Sequence, residues 1–230
     1  MNLRSALIKS LQVKFFDMSV FFIVSLITFR YFEINERGLL SIFWAAFFII
    51  ELFTFQTGVT IQAKIPAQII KKDVSRIQNT IFSAYLLRSF SGLIIGLLVF
   101  IFSEQLALIL TPENIDHLRL KSVLNGTSLF LGLNIILGPI DHSVLIAFQK
   151  YQKMRLFLAF KIVPILLSAL LTLALKESPE FMILSYMFIR LIIQTYIGWH
   201  IYFHLVKDKS ILFKKFSLDL ISIKSVTKHA

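Results

Sequence analysis

The chain has 230 residues, 57% of them hydrophobic and 16% charged, with a formal charge of +11 and a mean hydropathy of +0.77. Soluble domains average about 45–50% apolar and about 25% charged residues, so the surplus apolar side chains here call for lipid as their solvent. Absence of cysteine excludes disulfides, thiolate metal sites and cysteine catalysis. The basic residues are divided among four short segments, a pattern of membrane-protein loops and not of a nucleic-acid surface.

Six apolar segments each approach the length needed to cross about 30 Å of hydrocarbon. They run over residues 15–32, 39–59, 80–102, 122–148, 156–175 and 179–206. Arg4, Lys9 and Lys14 precede the first, and no small-residue cleavage site follows it, so it reads as an uncleaved helix. The connections alternate in charge. The N-terminal segment is +3; Arg30, Glu33, Glu36 and Arg37 cancel; Lys64, Lys71, Lys72, Asp73 and Arg76 sum to +3. Residues 103–121 are −1, Lys150, Lys153 and Arg155 give +3, Lys176, Glu177 and Glu180 give −1, and the basic tail 207–230 is +4. Cytoplasmic loops carry the excess of Lys and Arg. The expected fold is therefore all-α: a polytopic membrane protein of six transmembrane helices with both termini cytoplasmic, residues 1–206 forming one lobe. Within the tail, apolar residues at 212, 213, 216, 220 and 223 have the spacing of an amphipathic helix on the inner leaflet.

Ionisable residues inside crossings are costly and mark functional candidates by default. Here they are Asp17, Glu51, Arg88, Asp141, Lys161 and Arg190. At about 1.5 Å rise per residue, Glu51 and Arg88 each lie roughly 12 Å from the inner ends of their helices and form a candidate ion pair. Asp141 and Lys161, roughly 10 Å and 8 Å deep, form a second. Arg190 lies nearer the middle with no evident partner. A cavity lined by Arg88, Lys161 and Arg190 suits an anionic head group such as a phosphate, with Glu51, Asp141 and Asp17 as pairing or ion-coupling groups. Pro139 and Pro164 interrupt the fourth and fifth crossings, and Asn134, Gly138 and Asp141 form a polar stripe beside the first of these kinks. Gly92 and Gly96 form a GxxxG repeat, which allows close helix approach.

Enzymatic motifs are lacking. His200 and His204 have the i, i+4 spacing of two metal ligands, but beside Trp199, Tyr202 and Phe203 they read as part of an aromatic belt. Asp141-His142 has no nucleophile motif to serve, and neither a P-loop nor a dinucleotide-binding glycine pattern occurs. No cofactor, metal or enzymatic activity is expected.

The stretch Glu36-Arg37-Gly38-Leu39-Leu40-Ser41 through Gly58-Val59 resembles the first loop and second helix of polysaccharide and O-antigen flippases, of the superfamily that includes multidrug-extrusion transporters. Leu145-Ile146-Ala147-Phe148-Gln149-Lys150, followed by Arg155 to Leu175, is similar to that family's fourth-to-fifth helix junction. The resemblance covers one six-helix lobe, whereas family members have two. It implies transport of an undecaprenyl-diphosphate-linked sugar across a bacterial inner membrane, with a second copy or another membrane chain supplying the other lobe. A membrane scaffold or accessory subunit, or a multidrug-extrusion-like transporter, is the alternative expectation.

Overall fold

The computed structural model describes residues 3–52, 57–111, 116–137, 140–149, 160 and 162–207. Among the described residues the secondary structure is helical throughout, with no strand. In chain order the helices are α1 (Leu3–Tyr31), α2 (Ile34–Leu52), α3 (Thr57–Ile70), α4 (Val74–Ile101), α5 (Ser103–Leu110), α6 (His117–Ile136), α7 (Ile140–Ala147), α8 (Val163–Leu175) and α9 (Pro179–Lys207). Two are long and apolar enough to cross a membrane: α4, and α9 over Pro179–His200. Met18–Tyr31 and Val163–Leu175 are apolar but shorter.

Several boundaries depart from the expected crossings, each for a local reason. The helix expected over 80–102 begins at Val74, because the Asp73 side chain accepts the Arg76 N–H at 3.1 Å and caps the new N-terminus. The preceding segment, expected as a basic loop, is the helix α3. It closes with Lys72 at φ 54° and a bond from the Asp73 N–H to the Gln68 carbonyl at 3.0 Å, the left-handed ending that lets a chain reverse sharply. The span expected over 39–59 is divided between α2, ending at Leu52, and α3, starting at Thr57. That expected over 122–148 is likewise two helices, α6 and α7, on either side of Gly138-Pro139. Pro164 is not an interior kink: it occupies the first turn of α8, where a missing N–H costs nothing. The loop expected over 103–121 contains α5. The amphipathic segment 211–223 lies outside the described residues.

Packing falls into two apolar clusters. The larger joins α1, α2, α5, α6, α8, α9 and the C-terminal part of α4 through residues such as Phe43, Leu120, Leu131, Ile183 and Met187, all 2% exposed or less. The smaller joins α3, α4 and α7 through Ile61, Ile65, Ile77, Ile81 and Val144. Spanning both, α4 runs against α6 over the most extensive helix contact among the described residues. Glycine makes that approach possible: a Cβ on Gly92 would lie 2.5 Å from the Gly132 carbonyl oxygen, and one on Gly96 would lie 3.1 Å from that of Ser128. The GxxxG repeat thus meets a third glycine on the facing helix.

Candidate functional site

The broken end of α6 organises a polar region of the interior. In an unbroken helix the Ile135 carbonyl would accept the N–H of residue 139. Residue 139 is proline and has no N–H, and the residue before a proline is driven out of the helical region. The described helix ends at Ile136 accordingly, with Leu137 as its cap. Arg88 of α4 replaces the missing donor: its Nε–H donates to the Ile135 carbonyl at 2.8 Å, and the residue is only 5% exposed. A charged donor on a buried carbonyl is worth about 1.5–3 kcal/mol.

The neighbouring residue, Asn134, reaches the other way. Its Nδ2 donates to the Phe130 carbonyl in its own helix at 2.8 Å and to the Met187 carbonyl of α9 at 3.2 Å. Two carbonyl partners fix which side-chain atom is the nitrogen, so Oδ1 is the atom left over. It is buried, with no hydrogen-bond partner among the described residues. One residue before Met187, Tyr186 receives a hydrogen bond on its hydroxyl from Arg190 Nη1 at 3.1 Å. The same guanidinium sits over the Phe47 ring of α2 at 4.9 Å, and Tyr186 meets Trp44 edge-to-face at 4.6 Å. A guanidinium over an aromatic face is stabilised by the ring's electron-rich surface, by about 0.5–2 kcal/mol. Arg190, expected without a partner, is therefore held by Tyr186 and Phe47.

One continuous layer results: Arg88 on α4, Asn134 and Ile135 on α6, Met187, Tyr186 and Arg190 on α9, and Trp44 and Phe47 on α2. Chemically it contains two guanidinium groups, each held by protein partners, and one amide oxygen acceptor. Arg88, Arg190 and Asn134 of the predicted set belong to it. Asn134 belongs as a helix-to-helix tie to α9 and not as a cavity wall. Pro139 acts through the donor it lacks, although its own position lies outside the described residues. Glu51 is in the last turn of α2, Asp17 in α1 and Asp141 in the first turn of α7, but their side chains lie outside the described residues. Lys161 lies outside them entirely, so neither expected ion pair enters the layer as described. Pro164 is placed at the start of α8, apart from it. His200 stacks on Tyr196 at 6.2 Å, and among the described residues no cluster of three metal-ligating side chains occurs.

Two polar groupings escaped the sequence reading. Where α1 turns into α2, Arg119 pairs with Glu180 at 2.6 Å and reaches Glu36 at 3.8 Å, and Lys121 pairs with Glu104 at 2.7 Å. Those charges were counted for their sum, and their signs alone do not say which would meet. The Glu104 carboxyl is held below its ordinary value by its hydrogen bond from Lys121 and by that cation's charge. At the opposite end, α3, α4 and α7 share a polar seam. Gln62 donates to Ser143 at 3.1 Å, Gln68 donates to Thr80 at 3.0 Å, and the Thr57 and Thr60 hydroxyls are buried without partners among the described residues. The run of Thr and Gln from 57 to 68 was the available signal, hidden by its reading as a helix end and a loop. No family model matches the chain, and no curated protein or solved structure does either.

Proposed function

We propose that the chain is a six-crossing lobe of a bacterial inner-membrane transporter that moves a lipid-linked glycan carrying an anionic diphosphate, with both termini in the cytoplasm. The membrane reading is supported by exposed apolar surface. Phe90, Leu93 and Leu97 form one stripe of α4 and are 62%, 66% and 61% exposed, and only 28% of the apolar span of either long helix is buried. Water does not tolerate such a face over so large an area; lipid does. The topology is supported by where charges meet. Glu36, Arg119 and Glu180 come from the three connections of neutral or negative sum, and they converge at one end of the bundle.

The observation that carries the transport reading is the layer that links Arg88, buried, with Arg190, partly buried, through α6 and α9 beside a broken helix. Such groups are expensive in hydrocarbon and are aimed at protein, water or an anionic ligand. The guanidinium fork matches phosphate oxygens, and a helix interrupted at that level supplies the hinge that alternating access needs. A second lobe supplies the opposite wall. The test is glycan export in cells carrying Arg190→Ala or Arg190→Lys, with the amount of membrane-inserted protein measured in parallel. Loss of export at normal protein level in Arg190→Ala, partly restored in Arg190→Lys, is expected. Unchanged export in Arg190→Ala refutes the site.

A non-transporting accessory subunit is the second reading, favoured by one specific observation. Arg88 Nε is spent on the Ile135 carbonyl, so at least that nitrogen serves helix association. On that reading Arg88→Met disrupts co-purification with a partner chain, while Arg190→Ala leaves export intact.

A further inference from the structure

A groove of about 420 Å³ runs between α1 and α8, lined by Ile23, Leu26, Ile27 and Tyr31 of α1 and Leu173 of α8, with Arg30 at one end. Its walls are apolar apart from Arg30 and the Tyr31 hydroxyl. From Ile23 to Arg30 the groove follows α1 for seven residues, roughly 10 Å of helix. No described carboxylate pairs with Arg30, although Glu33 and Glu36 are close in sequence; Glu36 bonds instead to the Glu33 N–H and lies near Arg119.

We propose that this groove binds one anionic phospholipid of the surrounding membrane, its phosphate on Arg30 and the start of an acyl chain along Ile23, Leu26, Ile27 and Leu173. Such a site presupposes the membrane reading proposed above. Charge complementarity selects the occupant. An apolar slot alone accepts any acyl chain, but a guanidinium in the last turn of α1, where the helix meets the polar interface, adds a preference for a net negative head group. The volume falls within the usual range of about 300–1,000 Å³ for small-molecule sites. The preceding turn is anchored independently, since Val20 and Val24 are buried in the larger apolar cluster, so the slot's shape does not depend on its occupant.

The test is native mass spectrometry of the full chain in detergent, titrated separately with phosphatidylglycerol and phosphatidylcholine. The first phosphatidylglycerol is expected to bind about fivefold more tightly than the first phosphatidylcholine, the factor typical of one basic residue at a lipid surface. Arg30→Gln should abolish that preference and leave phosphatidylcholine binding unchanged. Leu26→Trp, which fills the slot from a half-exposed position, should weaken both. Lys71→Gln, an exposed cation at the opposite end of the bundle, should change neither. Preference surviving in Arg30→Gln, or lost equally in Lys71→Gln, overturns the site. Alkaline carbonate extraction of cell membranes separates the two failures. A chain released by carbonate overturns the membrane reading and the lipid site together. A chain that stays in the membrane while Arg30→Gln keeps the preference overturns only the lipid site.

Discussion

Replacing Arg88 by Met tests the brace at the end of α6 most sharply, because the reason for the brace lies in a second residue. Met preserves most of the apolar stem and removes the Nε donor, which leaves the Ile135 carbonyl without the bond now made at 2.8 Å. A buried carbonyl stripped of a charged donor costs about 1.5–3 kcal/mol. For a chain of this length that corresponds to a fall in Tm of about 3–12 °C. Pro139→Ala restores an N–H at the i+4 position and, where the helix continues, satisfies the same carbonyl from within α6. Arg88→Met should then cost about 1–2 kcal/mol less in the Pro139→Ala background than in the wild type, a coupling read from a double-mutant cycle. Thermal unfolding of the four purified proteins in one detergent supplies all the numbers. Equal losses in both backgrounds would show that Arg88 does not substitute for the proline's missing donor, and the derivation of the brace fails.

Gly132→Ala should destabilise by about 1–3 kcal/mol, because its Cβ would sit 2.8 Å from the Gly92 carbonyl oxygen and meet only backbone atoms of α4, which cannot move aside as a flexible side chain would. Gly126→Ala on the same helix meets only Leu184 Cδ2 at 3.5 Å and should leave Tm unchanged or raise it. Tyr186→Phe removes the hydroxyl that accepts from Arg190 and should cost about 0.5–1.5 kcal/mol by the same assay. Acid should loosen the contact of α5 with α6. The Glu104 carboxyl is lowered in the folded chain by its hydrogen bond from Lys121, so its contribution is present above the ordinary carboxylate value and is lost as pH falls through the folded value. Tm measured from pH 7 to pH 3 should therefore decline in the wild type, and less steeply in Glu104→Gln.

Local chemistry was the legible part of the sequence. Pro139 announced a break, Gly92 and Gly96 announced close packing, and the long apolar runs of α4 and α9 are helices. Partner choice was not legible. Glu51 and Arg88 were matched by counting depth from assumed helix ends, but α4 begins at Val74 and not at Thr80, which moves Arg88 six residues further along its helix. Arg190 and Phe47 stand on helices far apart in sequence, and no periodicity states which helices become neighbours. The α3–α4 hairpin was missed because Lys64, Lys71 and Lys72 read as solvated loop charge, whereas the helix buries Ile61 and Ile65 and leaves Lys71 exposed. Charge sums are insensitive to whether the charges lie on a loop or a helix, which is why the alternation of signs did not depend on that error.

The arrangement across a membrane is directly measurable, because the sequence contains no cysteine. Single cysteines at Asn35, Gln105 and Ser178, all exposed, mark the three connections of neutral or negative sum. Lys71→Cys and Ser75→Cys mark the exposed turn between α3 and α4. In bacterial spheroplasts treated with a membrane-impermeant maleimide, the first three should be labelled in intact cells, and the other two only after permeabilisation. Labelling at 71 or 75 in intact cells, or none at 35, 105 and 178, would contradict the six-crossing arrangement.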